Sequence, residues 1–278
     1  MLGKLDSRTR AVEAGLSNSR EVSLTLIDVF WMPDDRVGVA GRLQDGTLVR
    51  LRVGANGPDS KWMLSAKGGY LAPFQEIRLQ IGDAPPDTLP PFTEMRMAAE
   101  TGHRIVGELP FGEILALLEA SCVPGVREMF GAKIHVDPGG GKDWYVTSGT
   151  GDRSLGTIKV AEVLSVTTRR SHEEDLLDMR LAFRDASGEI YKLTIVDLLA
   201  QGHFAIRGKS YTPQLMARGM RTVLQGQNLV YLRIGLAEPT ESQPDRCYLQ
   251  IVGITIGQEA SPAYRARWGG NGLFAPGE

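Results

Sequence analysis

The sequence predicts an all-β fold with a helical insert, arranged as two small barrels or sandwiches in tandem. Three observations carry this. Glycine and proline are frequent, at 33 and 15 of 278 residues, which favours turns and short strands over long helices. Apolar and polar residues alternate over short runs bounded by turn dipeptides. The same order of runs then occurs twice along the chain.

The elements follow in order. Residues 1–20 are polar and weakly patterned, an N-terminal arm. A first unit spans 21–92. It opens with the apolar run Leu24 to Phe30, followed by a turn at Pro33-Asp34-Asp35 and a strand from Val37 to Leu43. Asp45-Gly46 is a two-residue hairpin signal. The returning strand Thr47 to Val53 puts Val49, Leu51 and Val53 on one face and Arg50 and Arg52 on the other, because successive side chains of a strand point oppositely. Ile77, Leu79 and Ile81 alternate with Glu76, Arg78 and Gln80, and a proline-rich stretch, Pro85 to Pro91, closes the unit. Residues 93–150 are expected as a helical and loop insert. There Phe111, Ile114, Leu115, Leu117 and Leu118 have helical spacing that ends at Pro124-Gly125.

A second strand unit spans 151–257. Ile158 to Val166 forms one or two strands, and Met179 to Phe183 alternates with Arg180 and Ala182. Ser187-Gly188 reads as a hairpin turn, and Tyr191, Leu193 and Ile195 alternate with Lys192 and Thr194. Leu229 to Leu236 and Tyr248 to Ile256 read as two more strands. Residues 258–278 form a tail that carries Tyr264-Arg265-Ala266-Arg267-Trp268.

The units repeat one another. Gly41 to Leu51 and Leu181 to Leu193 are each a strand, an Asp/Gly turn and a returning strand, and each follows an apolar strand. Ile77-Arg78-Leu79-Gln80-Ile81-Gly82-Asp83-Ala84-Pro85 corresponds to Tyr231-Leu232-Arg233-Ile234-Gly235-Leu236-Ala237-Glu238-Pro239. The stretch Gly149 to Val160 resembles the junction in the prokaryotic dual OB-containing domain family. So do Phe183-Arg184-Asp185, Tyr191 to Asp197, and Tyr231 to Pro239 followed by Cys247-Tyr248. The resemblance spans roughly Val22 to Ile256 and is closest from Gly149 onward. It implies two OB-like small β-barrels in tandem and a non-catalytic, nucleic-acid-binding role. It supplies no catalytic residues.

Composition narrows the function. With 31 basic and 33 acidic residues the formal charge is −2, which excludes a binder held to duplex DNA by bulk phosphate neutralisation. Acidic residues gather in turns, as at Asp34-Asp35 and Glu173 to Asp175, while arginines alternate along strands, so one basic face remains compatible with that charge. An OB barrel grips a single strand through a basic groove with aromatic stacking platforms. The candidates of that type are Arg50, Arg52 and Arg78 in the first unit, and Arg180, Lys192, Tyr231, Arg233 and Tyr248 in the second. Arginine outnumbers lysine 23 to 8, and guanidinium suits stacking and bidentate contact.

Other chemistries find little support. Gly139-Gly140-Gly141-Lys142 fails as a phosphate loop, because Val136 and Asp143 stand where that motif needs glycine and Ser or Thr. Gly149 to Ser154 is either a backbone anion nest or a tight turn with Asp152 and Arg153 paired, and the turn is preferred. His103, His135, His172 and His203 lack metal-site spacing, and Cys122 and Cys247 are expected as two buried reduced thiols. No cofactor and no metal are expected. No signal peptide or membrane span is read, so the expected location is cytoplasmic. The expected partner is single-stranded DNA or RNA. The alternatives are a protein-interaction subunit of a genome-defence or nucleic-acid-processing complex, with the tail as docking peptide, and an enzyme whose groups meet only in three dimensions.

Overall fold

Strands dominate the structure, a computed structural model that describes residues 16, 18–32, 36–54, 57–59, 61–64, 70–137, 143–170, 177–201 and 212–257. The expected turn at Pro33 to Asp35, the Gly139 to Lys142 loop, the His172 to Asp175 turn, His203, nearly all of the N-terminal arm and the Tyr264 to Trp268 cluster lie outside the described residues. Among those described, no helix is long and apolar enough to cross a membrane.

The first sheet contains β1 (Arg20–Met32), β2 (Arg36–Leu43), β3 (Leu48–Val53), β4 (Gln75–Ile81), β5 (Met95–Ala98) and β6 (Arg104–Glu108). Its order is β1-β2-β3-β5-β4-β6, and β1 also pairs with β4. The pairings β1-β2-β3-β5-β4-β1 therefore form a closed ring, in which β3 and β5 run parallel. Gly46, at the Asp45-Gly46 turn, has φ of 89°, a left-handed conformation that glycine adopts without steric cost. Leu24, Leu26, Val39, Val49 and Ile77 fill the interior.

The second sheet contains β9 (Leu155–Lys159), β10 (Glu162–Arg170), β11 (Leu177–Arg184), β12 (Ile190–Ile195), β13 (Val230–Leu236) and β14 (Arg246–Ile256). Its order is β10-β11-β12-β14-β13-β9, with β12 and β14 parallel. The path starts and ends on β9 and β10, which are consecutive in the chain. The two sheets thus share one pairing order, as the sequence repeat anticipates.

Three features differ from the sequence expectation. Residues 93–150 are not simply an insert. β5 and β6 belong to the first sheet, and β7 (Ile134–Val136) and β8 (Trp144–Thr147) extend the second through β14. These strands have three to five residues, too few to show a period. The helix α1 (Phe111–Ser121) is where helical spacing places it. A second helix, α2 (Pro213–Gln225), falls in a stretch where the strand pattern anticipates none. Its start signals are legible: Thr212 caps it by accepting a hydrogen bond from the Leu215 N–H at 3.3 Å, and Pro213 takes the first turn. Met216, Ala217, Met220 and Leu224 are its buried residues, at helical spacing, and all but Met216 join the second core. Third, Arg169-Arg170, which beside the acidic run Glu173-Glu174-Asp175 reads in the sequence as a loop, ends β10.

Burial identifies which strands are covered on both faces. All seven residues of β13 are buried. Leu232, Ile234 and Leu236 point into the second core. Tyr231 meets Ile114 and Leu118 of α1, and Arg233 faces β1. In β1 a bulge between Leu26 and Asp28 shifts the register. Val29 joins the first core, while Phe30 packs with Leu155, Val196 and Val252 of the second unit. The Trp31 N–H donates to the Val196 carbonyl at 2.8 Å. The two units therefore share a packed, hydrogen-bonded joint.

Candidate nucleic-acid interface

The eight candidate residues fall into two groups. Arg50, Tyr231 and Arg233 are 3, 2 and 3% exposed, so the expectation that they lie on an open strand face is corrected. The alternation was read properly, but the polar-looking face is covered. Arg50 donates to the Leu236 carbonyl at 2.9 Å, lies 3.9 Å from Glu238, and sits 5.2 Å from the centroids of both Phe30 and Phe92. Burial draws its pKa down, against the opposing pull of Glu238 and Glu94. Arg233 bonds Asp28 and donates to Thr255 Oγ1 at 2.7 Å. The Tyr231 hydroxyl donates to Glu119 of α1 at 2.5 Å, and burial, with Glu119 in support, raises its pKa. These three residues hold the units and α1 together.

The other five lie nearer to solvent. Arg78 is exposed on the first sheet, and Arg52 pairs with Asp87 at 3.0 Å. Arg180, Lys192 and Tyr248 share the outer face of the second sheet. Register shows this directly. Arg180 is opposite Thr194, and Thr194 is opposite Gln250. Lys192 and Tyr248 each lie two residues before that Thr194–Gln250 pair, on strands that run parallel, so they occupy equivalent positions.

Around Tyr248 the short strands add residues that the sequence reading did not single out. Tyr145 of β8 is opposite both Tyr248 of β14 and His135 of β7, which sets the three rings in one cross-strand row. His135 and Tyr145 stack with centroids 5.3 Å apart and planes at 23°. Tyr145 and Tyr248 are 6.0 Å apart and tilted. The Arg246 guanidinium lies 4.9 Å from the Tyr145 ring centroid. The alternate residues Val146 and Cys247 are 0% exposed, so core packing anchors the row from beneath. Tyr145 and Arg246 carried a legible signal, since Trp144-Tyr145 and Arg246-Cys247-Tyr248 are aromatic-rich alternations. The signal was obscured by the absence of a recognisable strand around residue 145.

The face is nearly neutral. Arg180 pairs with Asp143 at 2.6 Å and Asp178 at 3.3 Å. Arg246 pairs with Asp137 at 2.9 Å, and the Tyr248 hydroxyl donates to the same carboxylate at 2.7 Å. Lys192 is exposed and forms no ion pair with another described residue. The pairs hold aromatic and guanidinium groups in fixed positions, and His135, Tyr145 and Tyr248 are each half-buried. Such a surface suits stacking better than phosphate neutralisation.

Among the described residues no group of three or more His, Cys, Asp and Glu side chains gathers as metal ligands would. Both cysteines are free thiols, and burial pushes each up to about 11, far from the thiolate form a nucleophile needs. At the Gly149 to Ser154 turn Asp152 pairs with Arg153 at 3.0 Å, as the turn reading expects. Among known proteins, no family model matches the chain and no curated protein matches it.

Proposed function

We propose that the chain is a tandem of OB-like barrels that binds single-stranded nucleic acid without catalysis, on the outer face of the second unit. Support for the fold comes from the shared order. In the first unit β1, β2 and β3 form a meander, β3 pairs in parallel with β5, and β4 returns to β1; in the second β10, β11 and β12 form a meander, β12 pairs in parallel with β14, and β13 pairs with β9. A five-stranded Greek-key barrel of the OB kind has this strand order, and the order is in keeping with the resemblance to the prokaryotic dual OB-containing domain family. Fold alone does not define function. The observation that carries the binding role is the His135–Tyr145–Tyr248 row with Arg246 against it.

Each base stacked on such a platform contributes about 1–3 kcal/mol. Arg180, Arg246 and their carboxylates are mutually neutralised, so affinity rests on stacking and depends weakly on salt. A duplex, whose bases are not free to stack on side chains, is excluded. Fluorescence anisotropy with labelled single-stranded DNA and RNA oligomers, against a duplex control, tests the reading. Single strands are expected to bind, and Tyr145→Ala with Tyr248→Ala to weaken binding at least about tenfold. An affinity no tighter than about 100 μM at low salt overturns the reading, and unchanged affinity in the double variant removes these rings from the site.

A further inference from the structure

One cluster at the joint between the two units gathers three buried charged side chains that do not cancel. Asp28 of β1, Asp197 after β12 and Arg233 of β13 are 4, 5 and 3% exposed. Arg233 Nε donates to Asp28 Oδ1 and Nη1 donates to Thr255 Oγ1. The Phe74 ring, 5.5 Å from the guanidinium, closes one side. Asp197 accepts from the N–H groups of Leu199 at 2.8 Å, Ala200 at 3.1 Å and Ile254 at 2.7 Å. The backbone of Phe30, two residues after Asp28, bridges directly to Asp197.

Among the described residues no second cation contacts either carboxylate; Arg50, two strands from Asp28 in the same cross-strand row, is bonded to Leu236 instead. β1 contributes Asp28, β13 contributes Arg233, and β14 contributes Thr255 and the backbone of Gly253 and Ile254, all uncharged. Among the described residues Arg233 and Asp28 act on Asp197, and Arg233 acts on Asp28. Two carboxylates face one guanidinium, so an ionised cluster carries one excess negative charge out of contact with water. A buried unbalanced charge is costly. Asp28 comes from the first unit, Asp197 and Arg233 from the second. The cost arises only when the units are docked.

We propose that this cluster is a proton-linked latch: one proton taken up by the Asp28–Asp197 pair balances the charge and tightens the joint between the units, and its loss at neutral pH loosens it. Burial pushes Asp197 up to about 6, although Arg233 and its N–H donors pull the other way, and burial raises Asp28 as well. The proton belongs to the coupled pair rather than to one residue. A carboxyl whose pKa is raised on folding binds its proton more tightly in the docked state. Its stabilising contribution is complete below the ordinary carboxylate value near 4 and is lost as pH rises through about 6. Between pH 7.5 and pH 5 the joint is expected to strengthen by about tenfold in its equilibrium constant.

Hydrogen exchange on the full chain, corrected for intrinsic rates, reads this at the Trp31 and Ile254 amides, which sit at the joint. In the wild type their protection is expected to rise about tenfold from pH 7.5 to pH 5, while the β10–β11 hairpin amides do not follow. Asp197→Asn keeps the shape and leaves Asp28 and Arg233 balanced one to one. Its joint amides are expected to show little pH dependence and to be as protected at pH 7.5 as the wild type is at pH 5. An equal pH response in Asp197→Asn and wild type overturns the latch. Should the variant not fold, a carboxyl-carbon NMR titration of the wild type decides: a joint carboxyl titrating near 6 supports the latch, and both titrating at about 4 or below overturn it.

Discussion

Arginine is used in two opposite ways in this molecule, at the joint between the units and on the outer face of the second sheet. At the joint Arg50 and Arg233 are stripped of water, sandwiched against aromatic rings and bonded to a carbonyl or a carboxylate from the other unit. On the outer face Arg180 and Arg246 keep a quarter of their side-chain surface exposed and bind carboxylates of their own sheet region. All four alternate with core residues along a strand. What separates them is what lies over the strand, a long-range property. The same guanidinium is therefore a structural staple in one place and part of a presented surface in the other.

The sharpest way to break this comparison is Arg233→Ala. It leaves Asp28 and Asp197 buried with no counter-charge. Removing one member of a buried ion pair typically costs about 3–5 kcal/mol, and urea denaturation at pH 7.5 is expected to show a loss of that size. The loss should shrink on acidification, because protonated carboxyls no longer need the cation. A loss below about 1 kcal/mol would place Arg233 with the outer-face arginines.

Arg50→Ala comes next. Arg50 sits between Phe30 and Phe92 and donates to Leu236. Its partner carboxylate Glu238 is 39% exposed and regains water when the arginine is removed. Glu94, 8% exposed, also faces Arg50 but keeps the Ser154 N–H and hydroxyl as donors to Oε1, so the expected cost is smaller, about 2–3 kcal/mol from the lost charge-assisted hydrogen bond and the cavity between the rings. Denaturation midpoints for Arg50→Ala and Arg233→Ala, measured side by side, test the ranking.

The same comparison marks what the sequence could disclose. Strands such as β4 and β12 are legible because one face is core and the other is not, which imprints a period of two. The hairpin turns at Asp45-Gly46 and Ser187-Gly188 were legible because their glycines adopt a positive φ that few residues tolerate. β13 carries the alternation of a strand, yet its second face looks open in the sequence. Tyr231 and Arg233 look polar in the sequence, and only docking against α1 and β1 buries them. Lys192 and Tyr248 stayed on the outer face where alternation put them. Tyr145 and His135 carry no legible period because β7 and β8 hold three and four residues; β8 is held by pairing with β14, about a hundred residues away, and β7 pairs with β8. A local pattern cannot encode a partner so distant.

The smallest effect is expected for Arg180→Ala. Its guanidinium bonds Asp143 at 2.6 Å and Asp178 at 3.3 Å, a contact set that resembles that of Arg233 on paper. The difference is access to water. Asp143 and Asp178 keep 34 and 24% of their side-chain surface exposed, so both carboxylates rehydrate when the arginine goes. Partly exposed ion pairs contribute about 1 kcal/mol or less, and that is the expected loss in urea denaturation. The loss should also fall with added salt, because the pair is within reach of screening ions, whereas the Arg233→Ala loss should not. Should Arg180→Ala instead cost as much as Arg233→Ala, geometry of pairing rather than burial would set the value of an arginine here, and the division between staple and presented surface would fail. With a small stability loss, any larger drop in single-strand affinity for Arg180→Ala would come from the face itself and not from unfolding.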